Sequence, residues 1–96
     1  MIKIKTILNH GGSYPFQIDA LTNDHRMIYG RYRNGRVRVY VGEFGDFSEY
    51  AAVDGDMIFS NLIGDAFDGT MTLEEFKEAT KTTLDFSEAV DDSLSC

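Results

Sequence analysis

Along residues 1–41 apolar and polar positions alternate with a period of two, and between residues 46 and 84 the period lengthens. Side chains of a strand point alternately to opposite faces, so the first half of the chain reads as strands. Ile2, Ile4, Thr6 and Leu8 alternate with Lys3, Lys5 and Ile7, the pattern of a half-buried strand. Asn9 to Ser13 is a turn cluster that includes His10. Tyr14, Phe16, Ile18 and Ala20 then share one face and Gln17 and Asp19 the other. Pro15 has no N–H to donate and belongs at the strand start or on an edge. Thr22 to His25 turns the chain again.

Residues 26–41, RMIYGRYRNGRVRVYV, are the most specific stretch. Asn34-Gly35 lies between two runs of β-branched and aromatic residues, and both positions tolerate the positive φ of a type I′ turn, which predicts a two-residue hairpin. The turn sets the register: Arg33 opposite Arg36, Tyr32 opposite Val37, Arg31 opposite Arg38, Gly30 opposite Val39, Tyr29 opposite Tyr40, Ile28 opposite Val41. One face then carries Ile28, Gly30, Tyr32, Val37, Val39 and Val41. The other carries Arg31, Arg33, Arg36 and Arg38 with Tyr29 and Tyr40, a basic plate.

After Gly42 the signals are helical. Asp46 and Glu49 have capping-box spacing and predict a short helix through Val53. Asp56 can cap a second short helix with Met57, Ile58, Leu62 and Ile63 inward, ended by Gly64. The competing reading makes Asp54-Gly55 a hairpin turn between strands over 50–53 and 56–59. Thr72 and Glu75 form a cleaner capping box for a helix to about Leu84, with Leu73, Phe76, Thr80 and Leu84 at helical spacing. The expected fold is α+β: a four-stranded antiparallel meander over residues 2–41, followed by two or three short helices between 46 and 84 packed on one face. A single domain over 1–84 is expected, with an acidic tail over 85–96 that frays unless it meets the body or a partner.

A chain of 96 residues with 43% apolar content suits one small core and not a disordered polymer. No apolar run nears the roughly 20 residues that span a bilayer, so no membrane role is expected. The alternating MIKIKTIL start lacks a continuous apolar stretch, and the lone Cys96 has no internal partner. Both point to a cytoplasmic protein. Charge changes the picture most. The net charge of −7 conceals 7 basic against 3 acidic residues in 1–45, giving +4, and 2 basic against 13 acidic in 46–96, giving −11.

Candidate chemistry is sparse. The run from Asp68 to Phe76 is similar to the second half of an EF-hand calcium loop, with Asp68, Gly69 and Glu75 in the matching places. Gly64 and Ala66 fall where side-chain oxygens are needed, so a tight turn and a helix cap account for the same residues and no metal is expected. His10 and His25 have no cysteine or carboxylate at metal-ligand spacing. His10-Gly11-Gly12-Ser13 precedes a strand and not a helix, so it is not a phosphate loop. Asp54 and Asp56 read as a solvated turn. No nucleophile, base or cofactor signature appears, and the chain reads as a non-enzyme without cofactors.

Binding is therefore the expected function. Spaced carboxylates can imitate a nucleic-acid backbone and occupy a groove lined by Lys and Arg. Small acidic phage-encoded inhibitors of restriction or CRISPR machinery work in this manner, a parallel of size and charge alone. The first expectation is an inhibitor or adaptor engaging a basic, nucleic-acid-binding protein through Asp65, Asp68, Glu74, Glu75 and Glu78. The alternative is a single-stranded nucleic-acid-binding module using Arg31, Arg33, Arg36, Arg38, Tyr29 and Tyr40. A third arrangement sets the basic plate of one copy against the acidic half of another in a homodimer.

Overall fold

The computed structural model describes residues 1–12, 15–48, 51–66 and 68–91. Its elements are β1 (Ile2–Gly11), β2 (Phe16–Thr22), β3 (Met27–Arg33), β4 (Arg36–Val41), β5 (Asp56–Leu62), α1 (Leu73–Ala79), β6 (Leu84–Asp85) and β7 (Val90–Asp91). They form a seven-stranded sheet in the order β5-β4-β3-β2-β1-β6, with β7 also paired to β1. The sheet is a curled half-barrel, and with 48% strand against 8% helix the protein is mostly β. This corrects the expected α+β fold of four strands and two or three helices. The sheet is also not purely antiparallel, because β6 and β7 both run parallel to β1.

The β3–β4 hairpin has the register set by its turn, from Arg33 opposite Arg36 to Ile28 opposite Val41. Asn34 and Gly35 both take positive φ, 55° and 75°, as a type I′ turn requires. Ile28, Tyr32, Val37, Val39 and Val41 are buried on the inner face beside Phe16, Ile18 and Ala20 of β2. Gly30 lies among them for a steric reason: a Cβ there would overlap Ile18 and the ring of Phe76. The glycine is the seat into which α1 lowers its one fully buried side chain, Phe76. That ring also meets Phe16 at 5.9 Å and Phe86 edge-on at 6.2 Å, spacings at which aromatic pairs add to the gain from burial.

In β1 the alternation slips. Register shifts between Ile4 and Thr6 and between Ile7 and Asn9 bring Ile4 and Ile7 inward and leave Leu8 41% exposed. Each irregularity adds a residue to one strand and reverses the phase of all that follows. Hence Ile7, expected outside, joins the core. His10, expected in a turn, lies within β1. Pro15 precedes β2 as expected, while Tyr14 lies outside the described residues.

The helices expected over 46–53 and 56–63 are absent from the described residues. Residues 51–54 form a turn, and Asp46 accepts from the Ser48 N–H instead of opening a helix; Glu49 lies outside the described residues. Asp56 to Leu62 is strand β5, paired antiparallel with β4. The competing hairpin reading had the strand but not its partner. A helix of seven residues is marginal alone, whereas the open edge of β4 offers backbone partners to the whole segment. The one helix starts where expected: Thr72 Oγ1 accepts from Glu75 N–H at 3.1 Å and Glu75 Oε1 accepts from Thr72 N–H at 3.0 Å. It ends early, at Ala79, where Thr80 Oγ1 donates back to the Phe76 carbonyl at 2.9 Å. Leu84 is buried as expected, but as a strand residue opposite Ile2.

Candidate binding surfaces

The outer face of the sheet carries the arginines. Pairing aligns Gln17, Arg31, Arg38 and Ser60 in one row across β2–β5, and Asp19, Tyr29, Tyr40 and Met57 in the next. Arg33 and Arg36 face each other beside the turn, and Leu62 is abreast of Arg36. Tyr29, Arg31, Arg36, Arg38 and Tyr40 are half-buried and Arg33 is exposed. The Tyr29 and Tyr40 rings stack at 6.1 Å and 28°, and Gln17 Nε2 donates to the Tyr29 hydroxyl at 3.0 Å.

Among the described residues no carboxylate neutralises the charges on this face. Among the described residues none of Arg31, Arg33, Arg36 and Arg38 makes an ion pair, although the chain has 16 carboxylates. Arg36 reaches only the Ser60 hydroxyl, at 3.0 Å. The Nε of Arg31 is buried and has no hydrogen-bond partner. Asp19, on the same face, makes no ion pair among the described residues either, and partial burial raises its pKa from the ordinary aspartate value. The basic residues that do pair lie elsewhere: Arg26 with Asp24 at 2.7 Å in the β2–β3 turn, Lys3 with Glu88 at 3.6 Å.

On the other side of the sheet the expected acidic contacts divide. Asp65 is exposed. Asp68 is committed to structure: its Oδ2 accepts from the Tyr32 hydroxyl at 2.7 Å and its Oδ1 from the Thr70 N–H. Burial and then this hydrogen bond push the Tyr32 hydroxyl pKa up to about 12. The same loop is stitched to the hairpin tip through Gly35 N–H to Asp68 O and Ile63 N–H to Gly35 O, both at 2.8 Å. Asp68 and Glu75 therefore have the structural roles of a tight turn and a helix cap, and the calcium-loop likeness ends there. Among the described residues no three His, Cys, Asp or Glu side chains converge as a metal site.

Glu74, Glu75 and Glu78 come together on a groove of about 460 Å³, whose apolar lining is Ile63, Met71 and Ala79. Glu74 and Glu78 are exposed; among the described residues Glu74 pairs with Lys77 at 3.5 Å and Glu78 with Lys81, just past the helix end, at 2.6 Å. The apolar floor was not legible in the chain: Ile63 leaves the end of β5 and meets Met71 and α1 only through the docking of the intervening loop. A second, smaller cavity of about 250 Å³ has Glu43, Asp46, Asp54 and Asp56 among its lining residues; Asp54 lies in an exposed turn, as expected, and Asp56 is exposed at the start of β5.

Among the described residues no helix is long and apolar enough to cross a membrane. No protein-family model, curated protein or solved structure matches this chain at a significant level.

Proposed function

We propose that the protein is a non-catalytic binding module, an inhibitor or adaptor, that engages a basic segment of a partner protein through its acidic helix-bearing side. The observation that carries this is the groove itself: an apolar floor of Ile63, Met71 and Ala79 with the carboxylates of Glu74, Glu75 and Glu78 at its rim. Such a surface suits an amphipathic segment whose apolar side chains enter while Lys or Arg heads reach the rim. Ile63 is 48% exposed in the free protein, so its burial would favour association. The rim carboxylates would steer the encounter and select for positive charge.

The test is NMR titration with a synthetic Lys/Leu amphipathic peptide. The expected result is perturbation centred on Ile63, Met71 and Ala79, lost in E74K/E78K, which leaves the Thr72–Glu75 cap intact. Perturbations scattered over the surface, or unchanged in that variant, would contradict the proposal. Affinity capture from lysate should then recover a basic protein that survives nuclease with the wild type and not with E74K/E78K.

A further inference from the structure

We propose that the outer face of β3–β4 is a second binding site, independent of the acidic groove, for single-stranded nucleic acid. The inference goes beyond the protein-binding reading and rests on different residues. Like charges directly opposite each other across a hairpin are unfavourable unless an anion lies between or near them. This hairpin carries two such pairs in succession, Arg31/Arg38 and Arg33/Arg36. In a chain of net charge −7 intramolecular neutralisation would be easy to arrange, yet no carboxylate among the described residues pairs with any of the four. Arg33 is exposed and Arg31, Arg36 and Arg38 are half-buried on this face, so their guanidiniums border solvent. An external anion would relieve both pairs at once.

Its class follows from what lies beside the guanidiniums. The Tyr29–Tyr40 stacked pair occupies the row adjoining Arg31 and Arg38. Guanidiniums that take phosphates next to rings that take base faces make a platform for a flexible single strand. An acidic peptide would use the arginines and leave the tyrosines idle. The overall negative charge does not forbid this. At physiological salt the screening length is about 8 Å, and Glu74, Glu75 and Glu78 belong to α1, which packs on the opposite face of the sheet.

The test is fluorescence anisotropy with short, mixed-sequence, fluorescein-labelled single-stranded RNA and DNA, and with labelled poly-glutamate as the competing polyanion. Expected is saturable oligonucleotide binding at low salt. Affinity should fall with added salt at a log–log slope no steeper than about −3, as four phosphate contacts to a single strand imply. R31E/R36E should abolish binding; because it replaces two like-charged pairs with opposite-charged ones, loss of binding with an undiminished melting temperature excludes unfolding as the cause. Y29L/Y40L should weaken binding about tenfold with the salt slope unchanged, the mark of lost stacking and not lost charge. No oligonucleotide binding at low salt, binding that survives R31E/R36E, or poly-glutamate binding as tight as RNA and DNA would overturn the proposal.

Discussion

The two faces of the β3–β4 hairpin are built from the same strands and the same turn, yet they meet opposite demands. The inner face is closed: Ile28, Tyr32, Val37, Val39 and Val41 are buried, and Gly30 leaves room for Phe76. Burying each large apolar side chain contributes about 1.5–3 kcal/mol. The outer face sets arginine against arginine, at a cost of a few tenths to about 1 kcal/mol per pair. The inner face wins by a wide margin, so the hairpin forms in spite of its outer surface. A fold with that much surplus on one side can hold an unneutralised surface on the other, where a binding partner needs it. The polarity of the chain, basic before residue 45 and acidic after, becomes a polarity in space: arginines on one side of the sheet, the helix and its glutamates on the other.

The largest effects are expected on the inner face. Phe76→Ala should cost about 3–5 kcal/mol in urea denaturation. Gly30→Ala should cost about 1–3 kcal/mol by overpacking, and the double variant should cost less than the sum, because the cavity left by one change receives the methyl of the other. Additive costs would mean that Gly30 is not the seat of Phe76. Tyr32 supplies the next effect. Its hydroxyl pKa is raised to about 12 from an unfolded value of 10.0, so its contribution is complete below pH 10 and is lost as pH rises from 10 to 12. A loss on the order of 1 kcal/mol across that window, absent in Tyr32→Phe, is expected in pH-dependent melts. The smallest effect belongs to the acidic side: Glu74→Ala and Glu78→Ala should each change stability by less than about 0.5 kcal/mol, since exposed helix pairs contribute little. A larger loss in thermal melts would mean that those carboxylates hold the fold and are not free for a partner.

How much could be read from the chain depended on whether the determinant was local. Asn34-Gly35 is a local signal of high specificity, and the whole hairpin register, including which residues face inward, followed from it. The Thr72/Glu75 cap is equally local and marked the start of α1. The misreadings arose where distant pairing decided. The bulges of β1, which bring Ile7 inward, exist because of the pairing with β2. Asp56 to Leu62 has a helix-compatible apolar pattern but extends because β4 offers it an open edge; Ile58 and Phe59 with Ser60 and Asn61, poor helix formers, were the available hint. Leu84 continues a helical spacing yet pairs with Ile2, more than 80 residues back. On the binding surfaces the residue types were legible. The apolar floor under the glutamates was not, because it depends on where the loop between Ile63 and Met71 docks, and neither was the lack of a carboxylate at the arginines among the described residues, because it depends on tertiary placement.

Repulsion on the outer face, overcome by burial on the inner one, is read out by the melting temperature of R31E/R36E against the wild type at low and high salt. Each introduced carboxylate would face a remaining arginine. The variant should melt higher at low salt, by the equivalent of about 0.5–2 kcal/mol, with the gap narrowing as salt screens both the repulsion and the new attraction. A variant that melts at or below the wild-type temperature at low salt would contradict it.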